Sequence, residues 1–107
     1  MNRRAWLEEQ VKRRPQDLRL RFALAVEYER EGRWADAVAQ LEAYLAQADD
    51  EGNAWGRLAR ALRALGRSAE ARAALACGIE AARRHGHPSL AADLEDELLA
   101  MDPEDER

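Results

Sequence analysis

The feature that most constrains this chain is an internal repeat. Sliding the sequence by 34 residues superimposes Leu24 on Leu58, Ala25 on Ala59, Tyr28 on Leu62, Gly32 on Gly66, Arg33 on Arg67, Ala37 on Ala71 and Leu41 on Leu75. No insertion is needed, and a fixed period of this length marks a unit that buries its apolar face only by stacking on its neighbours. In the second copy Trp55, Leu58, Ala59 and Leu62 recur at i, i+3, i+4 and i+7, which is one face of a helix. A second segment repeats the pattern, as Trp34, Val38, Leu41 and Leu45 in one copy and Ala71, Leu75 and Ile79 in the other. Each unit therefore predicts a helix pair hinged at a glycine. Gly32 and Gly66 stand where the chain must leave a helix in a left-handed conformation that only glycine adopts cheaply.

Composition points the same way. Alanine (23) and leucine (14) make up about a third of the chain, while Val, Ile and Thr together supply only Val11, Val26, Val38 and Ile79. So little strand-forming material predicts an all-α protein. At 107 residues there is room for one domain and one modest core, which excludes a multidomain enzyme. The single cysteine, Cys77, has no internal partner for a disulfide, as in a reducing compartment. No apolar run approaches the roughly 20 residues that span a bilayer. The basic start Met1-Asn2-Arg3-Arg4 leads to Glu8 and Glu9 rather than to an apolar signal core, so the expected location is cytoplasmic and no membrane partner is expected.

The residues of the repeat resemble the tetratricopeptide repeat (TPR) family, whose pattern is Trp, two residues, Leu, a small residue, two residues, an aromatic, and later Ala, three residues and a large apolar residue. The second copy reads Trp55, Leu58, Ala59, Leu62, Ala71, Leu75, with a leucine in the aromatic place. The first reads Arg21, Leu24, Ala25, Tyr28, Ala37, Leu41, with Phe22 beside the missing tryptophan. Pro15 stands where a proline would close a preceding unit, and Trp6, Leu7 and Val11 resemble that unit's last helix; Asp49 and Arg83 hold the equivalent places later. The resemblance covers roughly residues 3–85. It implies a right-handed superhelical stack of antiparallel helix pairs, about six helices in all, acting as a protein-protein interaction scaffold with no cofactor. The expected organisation is a single domain over 1–107: a flanking helix in 1–17, repeats at 18–51 and 52–85, a capping helix at 86–101 and a frayed tail at 102–107.

A stack needs polar-faced ends. Asn2 opens the leading helix and Pro15 stops it, while Asp17 caps the next. Ser68 and Ser89 stand at helix starts, where capping accounts for them. Strict continuation of the 34-residue register would bury Asp93 and Asp96, so the His85-Gly86-His87-Pro88 loop is expected to shift it by about two residues, turning Ala91, Leu94 and Leu98 inward.

Catalytic chemistry finds little support. His85 and His87 lack the further ligands of a tetrahedral site, so no metal is expected. Cys77 reads as a small packed residue, and Glu27, Glu29 and Glu31 read as a solvated face. The protein is not expected to be an enzyme.

Charge is blocked by sign: +4 over residues 1–21, −6 over 22–51, +5 over 52–85 and −7 over 86–107. Arg57, Arg60 and Arg63 lie in a stretch with no acid between Gly52 and Ala69. By the resemblance, the first helix of each pair lines a concave groove, making Arg19, Phe22, Val26, Arg30, Asn53, Arg57, Arg60 and Arg63 the candidate partner-binding residues. The arginines either grip an acidic peptide or bridge to Glu27, Glu29 and Glu31 on one side and Asp93, Glu95 and Glu97 on the other. Phe22 and Val26 stand where carboxylate-gripping members carry Lys and Asn, so a peptide both acidic and apolar matches better. Nucleic acid is disfavoured by the net charge of −4. A homo-oligomer is the alternative, the basic segment 1–21 of one copy meeting the acidic segment 86–107 of another.

Overall fold

The computed structural model describes residues 2–101; the tail at 102–107, expected to fray, lies outside the described residues. Within them are six α-helices and no strand: α1 (Arg3–Arg13), α2 (Leu18–Arg30), α3 (Trp34–Leu45), α4 (Asn53–Ala64), α5 (Ser68–Arg84) and α6 (Pro88–Ala100). They form two compact units, Met1–Ala48 with α1–α3 and Asp49–Arg107 with α4–α6.

Helix ends follow local chemistry. The Asn2 side chain accepts from the Ala5 N–H at 2.8 Å, and Asp17 accepts from Arg19 and Leu20 at 3.1 and 3.4 Å, satisfying first-turn donors that have no partner inside the helix. Three helices end alike. Gly32, Gly66 and Gly86 adopt φ of 69°, 74° and 76°. The next residue's N–H reaches five back in each case, from Arg33 to Tyr28 O, Arg67 to Leu62 O and His87 to Ala82 O, at 2.8, 2.9 and 2.8 Å. Together with the glycine N–H bonds to Glu29, Arg63 and Arg83, these are Schellman turns, each closing a helix and opening the next within three residues.

The serines differ from expectation. The capping positions of α5 and α6 belong to Arg67 and His87, with no side-chain acceptor, so Ser68 and Ser89 are ordinary first-turn residues; Pro88 occupies the first position of α6, where a missing N–H costs nothing. At α4 the capping is done by Asp50, whose Oδ2 accepts from Gly52 N at 2.8 Å and Ala54 N at 2.9 Å. It is a buried carboxylate whose charge is compensated by backbone dipoles at a helix N-terminus.

In the first unit Leu7 and Val11 of α1 meet Leu24 and Tyr28 of α2 and Ala37 of α3. In the second, Leu58 and Leu62 of α4, Leu75 and Ile79 of α5, and Ala91 and Leu94 of α6 are buried. The expected shift at α6 is present: Leu90, Ala91 and Leu94 repeat the Leu58, Ala59, Leu62 pattern after 32 residues, leaving Asp93 and Asp96 exposed. Its cause is α5. That helix has 17 residues against 12 in α3, so it runs through Arg83 instead of breaking there, and the connection 46–52 after α3 shrinks to a glycine turn at 85–87.

Candidate partner-binding surface

On α2, Arg19, Phe22, Val26 and Arg30 recur at three and four residues and so share a stripe. Arg19 and Arg30 are exposed, and Phe22 and Val26 are half-buried. The Phe22 ring is tilted 58° against Tyr44 of α3 with centroids 5.3 Å apart, within the range of favourable aromatic contacts. Arg30 is held by Glu27 at 2.8 Å. The vacant tryptophan place is filled by Arg21, which bonds Pro15 O at 2.8 Å and Gln40 Oε1 at 3.1 Å.

On α4, Asn53 and Arg60 stand 34 residues after Arg19 and Val26, while Arg57 and Arg63 stand at the places of Ala23 and Glu29. Asn53, Arg60 and Arg63 are exposed and Arg57 is half-buried. Arg60 is clamped by Glu97 of α6 through two bonds, Nε to Oε1 at 3.1 Å and Nη2 to Oε2 at 3.3 Å. Of the two exposed arginines of α4, Arg60 and Arg63, Arg63 makes no ion pair among the described residues. One of the bridges weighed for these arginines therefore exists, at Arg60, and a ligand at Arg60 has to compete with it.

Sequence reasoning missed the role of the α2 acids. Glu27 accepts from Arg3 at 2.9 Å as well as from Arg30, and Arg4 bonds Glu31 at 3.0 Å, so Glu27 and Glu31 fasten α1 to α2 rather than forming a solvated face. Glu8 joins them: Oε1 accepts from Arg4 at 3.0 Å and Oε2 from the Tyr28 hydroxyl at 2.6 Å. The Tyr28 bond, and Arg4 after it, hold the Glu8 carboxyl below its ordinary value, while burial and the carboxylate push the Tyr28 hydroxyl up to about 12. Arg4 is raised by Glu31 and Glu8. Arg33 sits over the Tyr28 ring, 5.1 Å from its centroid. Glu8, Val11, Lys12, Leu24, Tyr28 and Gln40 line an open cleft of about 330 Å³ beside this network. The aromatic place of the repeat pointed to Tyr28; nothing in the sequence singled out Glu8 as its partner.

In the second unit His85 Nε2 lies 3.3 Å from Asp49, which also accepts from Arg84 at 3.1 Å, and both bonds hold the Asp49 carboxyl below its usual range. Among the described residues no group of three His, Cys, Asp or Glu side chains is arranged to hold a metal ion, and no helix is long and apolar enough to cross a membrane. Cys77 is exposed, not packed as its small-residue neighbours suggested.

A tetratricopeptide repeat family model matches residues 28–94, from the end of α2 into α6, and so more than half of the chain. The chain belongs to the tetratricopeptide repeat family. TPR domains mediate protein-protein interactions and are typically non-enzymatic. No curated protein sequence and no solved structure matches this TPR chain significantly.

Proposed function

We propose that this TPR protein binds an extended peptide segment of a partner protein, and that the surface of α4 selects acidic side chains. What carries the reading is Arg63: an exposed guanidinium with no ion pair among the described residues, three positions from an Arg60 whose fork is held in place by Glu97. Between Gly52 and Ala69 there is no acid to neutralise the row within its own helix. A guanidinium offers planar, two-pronged donation to a carboxylate, and 16 of the 17 basic residues here are arginine. The α2 stripe is proposed separately as an apolar contact, Phe22 and Val26 flanked by Arg19 and Arg30. The chain works in this reading as a cytoplasmic, non-catalytic scaffold without a cofactor.

The test is fluorescence anisotropy with a labelled synthetic peptide alternating Glu and Leu, against a Lys–Leu control. Wild type should prefer the acidic peptide, and Arg63→Glu should weaken it about 5- to 10-fold at low salt, the size of one exposed charge contact turned repulsive. Arg57→Glu/Arg60→Glu/Arg63→Glu should abolish it while circular dichroism still reports a folded helix content. Equal affinity for the two peptides sinks the proposal.

A further inference from the structure

The cleft of about 330 Å³ beside the Glu8–Tyr28 network lies within the first unit and shares no residue with the α2 stripe or the α4 surface. Val11 of α1 and Leu24 of α2, both buried, give it an aliphatic floor. Its other lining groups are polar: Glu8 and Lys12 of α1, Tyr28 of α2 and Gln40 of α3. The repeat itself does not call for them. At a spacing of 34, Lys12, Tyr28 and Gln40 are answered by Ala46, Leu62 and Ala74, whereas Val11 and Leu24 are answered by Leu45 and Leu58. Helix packing therefore accounts for the floor and not for the polar rim.

Donors and acceptors on that rim decide which ligand it takes. Glu8 is committed, one oxygen accepting from Arg4 at 3.0 Å and the other from the Tyr28 hydroxyl at 2.6 Å. Glu8 and Lys12 stand at i and i+4, in the order that favours an ion pair along a helix. Yet Glu8 is turned to Tyr28 and Arg4, and Lys12 is exposed with no ion pair or hydrogen bond among the described residues. Gln40 is half committed. Arg21 can only donate, so its bond at 3.1 Å fixes the carboxamide oxygen toward Arg21 and leaves the amide N–H groups unspent. What the rim still offers is donors, from an ammonium and an amide, over an aliphatic floor. Its complement is an anionic acceptor on an apolar stem. A carboxylate suits it better than a phosphate, because one ammonium balances one charge and the nearby Glu8 repels a second. The volume is near the lower end of the roughly 300–1,000 Å³ that ligand pockets span, which fits a small molecule rather than an extended chain.

We propose that this cleft binds a small aliphatic monocarboxylate, its carboxylate held by Lys12 and the Gln40 amide and its stem lying on Val11 and Leu24. The Glu8–Tyr28 bond serves the site in two ways: it keeps Lys12 out of an internal ion pair, and it sets a committed carboxylate at the rim that turns away a second acidic group. No residue of the α4 surface takes part, so the site stands whether or not that surface binds a peptide.

Amide-proton NMR of the isotope-labelled full chain, titrated with isocaproate at neutral pH and constant ionic strength, tests this. The Gln40 side-chain amide and the Val11 backbone amide should shift saturably with a Kd of about 1–10 mM, the range for so small a ligand. Isocaproamide, which has the stem without the charge, and acetate, which has the charge without the stem, should each bind at least about 5-fold more weakly. Lys12→Gln, at an exposed position, should weaken isocaproate about 5-fold, and Lys12→Arg should restore it. Gln40→Glu still accepts from Arg21 but loses the amide donors, and should abolish the Val11 shift. Arg63→Glu should bind isocaproate as the wild type does. No saturable shift up to about 50 mM, equal binding of isocaproate and isocaproamide, or binding indifferent to Lys12→Gln and Gln40→Glu overturns the proposal. An acetylated Gly-Gly-Leu peptide that binds more than about tenfold tighter than isocaproate would overturn the choice of a free small acid in favour of a chain terminus.

Discussion

Gly78→Ala pits helix propensity against packing. In an isolated helix the substitution should stabilise by about 1 kcal/mol, because glycine loses more backbone freedom on folding. At this site the added methyl would meet Trp55 Cβ at 2.9 Å and Leu94 Cδ1 at 3.0 Å. The leucine methyl can rotate aside; Trp55 Cβ is fixed to the α4 backbone and yields only if the two helices separate. Overpacking of a fitted core costs about 1–3 kcal/mol, and a contact against an immovable atom belongs in the upper part of that range. Packing therefore wins, and the net loss should be about 1–2 kcal/mol, read as a lower urea midpoint or a fall of roughly 5–10 °C in Tm. Gly56→Ala is the internal control. Its Cβ meets only the far end of a side chain, Leu94 Cδ2, at 3.0 Å, with Arg60 Nη2 next at 3.5 Å, so propensity and crowding should cancel to within about 0.5 kcal/mol. A Gly78→Ala protein as stable as wild type, or one less destabilised than Gly56→Ala, would refute the reasoning.

Asp50→Ala should cost about 1–2 kcal/mol in chemical denaturation, because it leaves the Gly52 and Ala54 N–H groups without their acceptor in a buried place. Tyr28 sets an alkaline limit: its hydroxyl holds its proton to about 12 in the folded chain against 10.0 ordinarily, so its contribution is complete below pH 10 and is lost as pH rises toward 12, about 2–3 kcal/mol in all. Tyr28→Phe should remove that alkaline loss from a stability-versus-pH curve. Glu8 works in the opposite sense, its depressed value adding stability above the ordinary 4.5 that disappears on acidification. Glu97→Arg should cost under about 1 kcal/mol, since the Arg60 pair is exposed, and Arg60→Glu/Glu97→Arg should recover part of it in a double-mutant cycle at low salt.

Most of the fold was legible because the 34-residue period ties each helix to a counterpart, and a register error would place charge in the core. The shift at α6 could be inferred because Asp93 and Asp96 cannot be buried cheaply, although its origin in a longer α5 could not, since Ala81, Ala82 and Arg83 propagate a helix as well as they end one. Capping was legible where Asn2 and Asp17 sit next to their helices. It was misread at Ser68 and Ser89, because a Schellman turn already fixes the helix entry there and the position before the first turn falls to Arg67 and His87. At the candidate surface the sequence located Arg63 and Arg60 on α4, but choosing between a ligand and a bridge needed the distance from Arg60 to Glu97, 37 positions away. The acids of α2 were misjudged for the same reason. Their partners Arg3 and Arg4 lie on another helix, and helical spacing within one segment carries no information about that.

The sharpest difference between the two repeats is at a pair of equivalent positions. Where the first unit has Phe22 and Tyr44, the second, 34 residues on, has Gly56 and Gly78. In the first unit the two rings fill the space between α2 and α3 themselves. In the second the glycines leave a notch, and Leu94 of α6 enters it, one methyl toward each glycine. The glycines thus make room for Leu94 within the second unit. The two should behave unequally on substitution. The one tight neighbour of Gly56 is the leucine, whereas Gly78 meets the leucine and the Trp55 Cβ, so Leu94→Ala should relieve Gly56→Ala fully and Gly78→Ala only in part. That cycle distinguishes a notch shaped for Leu94 from one set by the approach of α4 to α5: complete relief of both would assign it to the leucine alone.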